Sequence, residues 1–206
     1  MSTSTDVYST IANPSSEVLF KDRKSKFYGR AFPLRSESEV KPIVESLKKQ
    51  YPSAGHFCYA WKTGLEHQKY RANDDGEPKN SAGIPIYGQI QSCGLTNILI
   101  VVLRIYGGTK LGVSGLINAY KTTAKMVLDA STIVERTNEI ELELLFGYPL
   151  MNEVMRILKK LDLRMVSKKM EMECSMIIAV PKSKTNGMHQ ELKRIHGLKI
   201  KQLNPI

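Results

Sequence analysis

The strongest candidate for chemistry in this chain is the glycine-rich turn Gly107-Gly108-Thr109-Lys110-Leu111-Gly112, which stands between a predicted strand and a predicted helix. Glycines let backbone amides approach an anion closely, and the start of a helix presents unpaired N–H groups and a positive dipole end. Lys110 lies inside the turn and Arg104 just before it. The turn therefore predicts an anion site. The alternative is a tight turn in which the glycines only supply positive φ angles.

The turn is not a P-loop, because that motif requires Ser or Thr after its lysine and Lys110 is followed by Leu111. The sequence also lacks the GxSxG, HExxH and GxGxxG patterns.

A second candidate is the acidic cluster Asp74, Asp75 and Glu77, which follows Asn73 in a polar stretch. Carboxylate oxygens suit Mg²⁺, and paired carboxyl groups can move protons. The spacing alone favours a solvated turn, and no EF-hand loop follows. We therefore predict no cofactor, and a phosphate or a Mg²⁺ ion is the alternative that the sequence leaves open.

The third candidate is His56-x-Cys58, whose two side chains share one face of a predicted strand. A thiolate–imidazole nucleophile or a zinc site needs such neighbours. However, Cys58 stands among aromatic residues, and no second Cys/His pair completes four ligands. The pattern favours a buried cysteine and a hydrogen-bonded histidine, so we predict no catalytic residue and no metal site here.

The chain carries 30 basic and 20 acidic residues, a formal net charge of +10. Such an excess suggests an anionic partner such as RNA, although exposed lysines also serve solubility alone. We include Arg71, Lys159 and Lys160 with the glycine-rich turn as candidate nucleic-acid-binding residues.

The cysteine usage indicates a reducing compartment. Cys58, Cys93 and Cys174 are odd in number and far apart, which argues against a disulfide framework. The apolar run at 98–103 is far shorter than the roughly 20 residues of a membrane span, and the first six residues lack the features of a signal peptide. We expect a cytoplasmic monomer that does not bind membranes.

Hydrophobic periodicity predicts an α+β protein with two domains, residues 1–136 and 137–206. In the first, a capping box formed by Ser36 and Glu39 is expected to open a helix. The predicted elements are a strand hairpin at 17–32 with a charged turn at 21–26, a helix at 37–50, a strand at 56–61, a polar loop at 63–83, a central strand at 98–105 and a helix at 113–130.

The second segment predicts the order β-α-β-β-α-β, the ferredoxin-like arrangement. Every second residue from Met170 to Val180 is expected to face one side of a single strand. Gly197 is expected to end the last helix. The elements are strands at 139–144, 163–169, 170–180 and 198–203, with helices starting at Pro149 and spanning 185–196.

Several motifs taken together resemble the YigZ/IMPACT family over about residues 17–130. They are His56-x-x-x-Ala60, Tyr70-Arg71-Ala72-Asn73-Asp74-Asp75-Gly76-Glu77-Pro78, Ala82-Gly83-Ile84-Pro85-Ile86, and the stretch from Asn97 through Arg104 and the glycine-rich turn to Tyr120. His56, Gly76, Pro78, Gly83 and Pro85 belong to these family motifs. The second segment resembles the small ferredoxin-like domain of bacterial YigZ proteins, which is similar to the fifth domain of elongation factor G.

The resemblance implies a first domain folded like the second domain of a small-subunit ribosomal protein, with helices on one face of a sheet. It also implies an involvement with translation, since eukaryotic relatives regulate translation initiation through protein partners and bacterial ones are suspected nucleic-acid binders. We therefore expect a non-catalytic regulator that binds RNA, the ribosome or a translation-factor partner. The alternatives are an enzyme acting on a small phosphorylated or nucleotide substrate with a carboxylate/Mg²⁺ site, and a protein-interaction adaptor.

Overall fold

A computed structural model describes residues 6–203 and divides the chain into two compact units. The first unit is Tyr8–Arg136, and the second contains the described residues from Thr137 onward together with Asp6 and Val7. Residues 1–5, on which the signal-peptide prediction mostly falls, lie outside the described residues, as do the outer ends of both predicted domains.

The first unit is built on a five-stranded sheet in the order β2-β3-β6-β4-β5. Its central strand, β6, is buried from Ile98 to Arg104, since neighbouring elements cover both of its faces. Two further strands, β1 and β7, pair separately. The strands are β1 Val7–Ile11, β2 Val18–Asp22, β3 Ser25–Pro33, β4 His56–Thr63, β5 Lys69–Asn73, β6 Ile98–Ile105 and β7 Ile133–Thr137.

Helices cover both faces of this sheet. Helices α2 (Gly83–Ser92) and α3 (Gly112–Asp129) pack on the face that carries Ile98, Ile100 and Val102. Helix α1 (Val40–Gln50) packs on the opposite face against Leu99, Val101 and Leu103. The two-domain α+β fold is confirmed, but the expectation of helices on one face only is wrong, because α1 has an apolar stripe of its own to bury.

Three local predictions in this unit are wrong. The polar loop at 63–83 contains an edge strand, β5, and helix α2 was not predicted. Ser36 and Glu39 do not form a capping box: the Ser36 side chain contacts Ser38, and Glu39 accepts a long hydrogen bond from the Arg35 amide. A short 3₁₀ turn at Glu37–Glu39 precedes α1 instead.

The second unit has the predicted ferredoxin-like fold. Its four antiparallel strands lie in the order β11-β8-β10-β9, and the buried faces of β8 and β10 pack against two helices. The elements are β8 Glu139–Phe146, α4 Met151–Lys160, β9 Arg164–Met170, β10 Cys174–Pro181, α5 Thr185–Leu192 and β11 Lys199–Gln202.

Two details of this unit differ from the prediction. Helix α5 ends at Leu192, before the predicted 196, although Gly197 does adopt a positive φ of 88°. Met170 belongs to β9 and Met172 to the connection that follows, and both are exposed. The buried alternation therefore begins at Cys174. No helix within residues 6–203 is long and apolar enough to cross a membrane.

The contact between β3 and α3 generates a stability prediction. A Cβ added at Gly29 would lie 2.5 Å from Val127 Cγ2 and 2.9 Å from Thr123 Cγ2. Both neighbours are β-branched helix residues with little freedom to turn away. We expect Gly29→Ala to lower the free energy of unfolding by about 1–3 kcal/mol in urea titrations.

The matched control is Gly88→Ala in α2, where an added Cβ meets nothing within 4 Å. This substitution should raise the free energy of unfolding by about 0.5–1 kcal/mol, since alanine favours a helix. Equal effects of the two substitutions would contradict the packing described for β3 and α3.

Candidate functional site

The loop that begins at Asp74 is a tight turn. The Glu77 amide donates to the Asp74 carbonyl oxygen (2.9 Å), and Asp75 and Gly76 between them have φ angles of 40° and 87°. Two consecutive positive φ angles favour Asp or Asn followed by Gly. The Asn73 side chain accepts from the Asp75 amide (2.7 Å) and stabilises the turn further.

The Asp74 carboxylate holds the start of α2. Its Oδ1 accepts from the backbone amides of Ala82 (3.0 Å) and Gly83 (2.8 Å), and its Oδ2 accepts from that of Asn80 (2.8 Å). These amides lack partners within the helix, and a negative charge also stabilises the positive end of the helix dipole. Asp74 is therefore a capping residue supplied from outside the helix.

Asp75 joins the same loop to strand β4. Its Oδ2 accepts from the Phe57 amide (2.7 Å), and its carbonyl oxygen lies 2.8 Å from His56 Nδ1. A carbonyl oxygen can only accept, so Nδ1 is the donor in this contact. The histidine is hydrogen-bonded, as its position in the sequence predicted.

Glu77 forms a buried ion pair with Arg104. Its Oε1 lies 2.8 Å from Arg104 Nη1 and accepts from the Tyr120 hydroxyl (2.8 Å). The side chains of Arg104 and Glu77 are only 7% and 4% exposed. Burial raises the pKa of the Tyr120 hydroxyl, which keeps it protonated as a donor.

Ser25 extends this network to the glycine-rich turn. Its Oγ lies 3.4 Å from Arg104 Nη2 and accepts from the Gly107 amide (3.2 Å). A Cβ on Gly107 would lie 2.1 Å from the Lys24 carbonyl carbon. Gly107 is thus required for a close approach of two backbones, which brings the charged β2–β3 turn against the glycine-rich turn.

The other two glycines of the turn have a conformational role. Gly108 and Gly112 have φ angles of 84° and 76°, and a Cβ on either would meet no atom within 4 Å. Both therefore occupy the left-handed region in open space. The conformational explanation of the glycines holds for these two positions.

A cleft of about 440 Å³ lies between the acidic loop, the glycine-rich turn and the start of α3. It brings together six of the residues singled out from the sequence, which are His56, Glu77, Pro78, Arg104, Lys110 and Gly112. Leu111, Val113, Leu116 and Tyr106 complete its walls. Lys110 is exposed and forms no ion pair with any residue in the described range 6–203.

Three predicted basic residues lie elsewhere. Arg71 is on edge strand β5 and lines a different groove of about 390 Å³ beside α1. Lys159 and Lys160 end helix α4 of the second unit, where Lys160 lies 3.2 Å from Glu191. Arg104 lies at the cleft, but its charge is balanced by Glu77, so it does not offer a free guanidinium.

Cys58 is a core residue rather than a nucleophile. It is fully buried, its thiol donates to the Asp74 carbonyl oxygen (3.0 Å), and its sulfur lies 3.4 Å from the Tyr120 hydroxyl oxygen. Burial raises the pKa of the Cys58 thiol far above neutrality. No group of three or more His, Cys, Asp or Glu side chains within the described part of the chain is arranged to hold a metal ion.

Sequence reasoning did not select Ser25, Tyr106 and Tyr120, which all contribute to this site. Tyr120 resembled an ordinary core residue of an amphipathic helix, and Ser25 stood inside a charged turn. Tyr106 carried a usable signal, because it is an aromatic residue directly before the glycine pair.

Comparison with known proteins agrees with this architecture. The Impact N-terminal domain matches residues 23–128, which contain the cleft. A crystal structure of a hypothetical protein superimposes on the chain with a TM-score of 0.69 and 26% identity, covering 97% of this chain and 98% of that one. The chain is thus a two-domain α+β protein whose first unit has the Impact N-terminal fold.

Curated relatives extend the match. IMPACT family member YigZ of Escherichia coli is 30% identical over 164 residues, which cover 79% of this chain and 80% of that protein. IMPACT family member YvyE of Bacillus subtilis is 36% identical over 113 residues, covering 55% of this chain and 52% of that protein. The chain belongs to the IMPACT family, as its motifs predicted.

The buried ion pair generates a second prediction. Glu77→Gln leaves the Arg104 charge without a counter-ion in a buried position, and we expect a loss of about 3–5 kcal/mol in the free energy of unfolding. Replacing both partners, with Glu77→Leu and Arg104→Met together, should cost less than the sum of the single substitutions, because no unpaired charge is left.

The control is Glu45→Gln on α1, where Glu45 lies 3.9 Å from Lys41 and both side chains are exposed. It should change stability by less than about 1 kcal/mol, as is usual for exposed pairs. Urea titration followed by circular dichroism measures the wild type, Glu77→Gln, Glu45→Gln, the single substitutions Glu77→Leu and Arg104→Met, and their combination. A Glu77→Gln protein as stable as the Glu45→Gln protein would contradict the burial of the pair.

The cysteines generate a third prediction. Cys93 is exposed, whereas Cys58 and Cys174 are buried. A raised pKa keeps the Cys58 thiol protonated at neutral pH, and the protonated form does not react with alkylating reagents. We expect iodoacetamide to modify Cys93 in the folded protein and Cys58 only after unfolding, as followed by peptide mass spectrometry. Rapid labelling of Cys58 under native conditions would restore the nucleophile hypothesis.

Proposed function

We propose that this protein is a non-catalytic, translation-associated regulator that binds RNA through the basic surface around its glycine-rich turn. The association with translation is what the family resemblance implies. RNA is the partner that the charges favour, because the net charge of +10 accompanies exposed cations on neighbouring turns.

One observation carries the proposal: two basic turns that are distant in sequence meet at Gly107. The β2–β3 turn presents Arg23 and Lys24 to solvent, and its backbone contacts Gly107 so closely that a side chain there is excluded. Lys110 follows three residues later, also exposed. Three cations on two neighbouring turns form a positive patch, which we call the double-turn patch (Arg23, Lys24, Lys110).

The double-turn patch has three cations and one neighbouring acid, Asp22, which stands directly before Arg23. None of its three cations forms an ion pair with an acidic residue in the part of the chain that the structure describes. The acidic residues of the loop beside the cleft, Asp74, Asp75 and Glu77, are held by donors of the loop, β4 and Arg104. The patch therefore attracts phosphates without local competition from these carboxylates.

The same contacts weaken the alternative of an enzyme with a carboxylate/Mg²⁺ site. Asp74 accepts three backbone hydrogen bonds, Asp75 accepts one from Phe57, and Glu77 is buried against Arg104 and Tyr120. A general base or a metal ligand must reach its substrate or ion, and these three carboxylates serve the fold of the loop instead.

The test is RNA binding as a function of salt. Replacing Lys24 and Lys110 with alanine should weaken binding to RNAs of different sequence by similar factors, because phosphate contacts carry no sequence information. The slope of log affinity against log salt should fall by about 1 for each cation removed. Fluorescence anisotropy at several salt concentrations measures both quantities.

Lys41→Ala is the matched control, since this lysine is exposed on α1 and pairs with Glu45. It should leave the slope unchanged. An RNA affinity that does not depend on salt concentration, or the absence of RNA binding at low salt, would contradict the proposal. Affinity purification with and without nuclease provides the second arm: a partner that survives nuclease treatment would identify a protein, rather than RNA, as the primary contact.

A further inference from the structure

We propose that the cleft between the acidic loop and the start of α3 binds a single nucleotide, with its phosphate at Lys110 and the amides of α3 and its base against Tyr106. This inference rests on the proposed function and deepens it, because it names a ligand for one concave site. That ligand is a single nucleoside that carries a phosphate. The double-turn patch alone accounts only for attraction to phosphates along its surface.

The size of the cleft sets the ligand class. Its volume of about 440 Å³ lies within the roughly 300–1,000 Å³ typical of small-molecule sites. Its walls combine apolar side chains such as Val113 and Leu116 with a few polar groups from His56 and Lys110. Such a site suits one nucleotide and is too small for a base-paired helix.

The phosphate end is defined by the start of α3. This helix has 18 residues, its N-cap Leu111 provides no side-chain acceptor, and its first turn contains no acidic residue. Its first amides therefore lack side-chain partners at the end where the helix dipole is positive. Lys110, directly before the N-cap, adds a full charge that the described residues do not neutralise.

An independent observation at Arg104 also points to a ligand. Arg104 lines the cleft, its side chain is only 7% exposed, and its Nε atom is buried without a hydrogen-bond partner. Buried N–H donors in native proteins nearly always have an acceptor. Nη1 and Nη2 are already engaged by Glu77 and Ser25, so Nε is the guanidinium donor that has no acceptor among the described residues.

The base end is defined by Tyr106. Its ring is 54% exposed, and the Arg104 guanidinium carbon lies 5.4 Å from the ring centroid. The guanidinium orients the ring and leaves aromatic surface open at the rim of the cleft. A nucleobase can stack on such a ring, and stacking tolerates every base. The second ring nitrogen of His56, Nε2, offers one hydrogen-bonding group at the cleft.

The nucleotide can come from two sources with the same chemistry, a free mononucleotide or the phosphorylated 5′ end of an RNA strand. The experiment uses the full chain and isothermal titration with AMP, adenosine and inorganic phosphate. AMP should bind more tightly than either of its parts, because only AMP occupies both ends of the cleft. Short RNAs of one sequence with a 5′-phosphate or a 5′-hydroxyl form the second arm.

Variants separate the two ends of the site. Tyr106→Ala should weaken AMP binding by about tenfold, as expected for the loss of one stacked base, whereas Tyr106→Phe should retain it. Lys110→Ala should weaken binding of AMP but not of adenosine. Tyr148→Ala is the matched control, because Tyr148 is also an exposed tyrosine, at 66%, and lies in the second unit. Circular dichroism checks that each variant is folded.

The outcomes are distinct. AMP binding that is lost in Tyr106→Ala and kept in Tyr106→Phe supports the inference, and the two RNAs then decide the source of the nucleotide. Inorganic phosphate that binds as tightly as AMP, or Tyr106→Ala binding like the wild type, overturns it. Steeply salt-dependent RNA binding without AMP or 5′-phosphate recognition overturns the cleft proposal alone. An absence of RNA binding removes the proposed function, and AMP binding that depends on Tyr106 would then identify a free mononucleotide as the ligand of the cleft.

Discussion

The first unit depends on a buried ion pair, Arg104–Glu77, that ties four separate parts of the chain together. Removing two charges from water is unfavourable, and it is offset here by a 2.8 Å contact, the Tyr120 hydroxyl and Ser25 Oγ. Through these contacts, the central strand, the acidic loop, helix α3 and the β2–β3 hairpin share one polar network. The position of each element limits the others, so the cleft that they surround is shaped by this network.

The ion pair also decides which charges are available to a partner. Because Glu77 neutralises Arg104, the positive character of the site comes from the exposed Arg23, Lys24 and Lys110 and from the start of α3. Exposed lysines are well suited to phosphates, which they attract at a distance and release readily when salt is high. The buried cation thus stabilises the fold, whereas the exposed cations give the surface its positive charge.

The acidic loop shows that the types and spacing of residues can suggest the wrong chemistry when their hydrogen-bond donors are not known. Three carboxylates within four residues suggested an acid–base or Mg²⁺ site, yet each is occupied by donors of the chain itself. Along the chain, Arg104 lies 27 residues from Glu77 and Tyr120 lies 43 residues from it. Spacing along the chain contains no information on such contacts, because they form only when β4, β6 and α3 pack.

The sequence by itself determined the elements whose hydrophobic pattern is long and regular: the central strand at 98–105, helix α3, and the βαββαβ order of the second unit. It also determined the family, since several motifs occur together, and it located the glycine-rich turn. It failed at α2, whose Gly-Ile-Pro start looks unlike a helix because Asp74 supplies the cap from outside. Only the tertiary structure decided that α1 covers the second face of the sheet, that Gly107 must lack a side chain, and that Arg104 is paired. These features depend on backbones and charges that are distant in sequence and meet only in the folded chain.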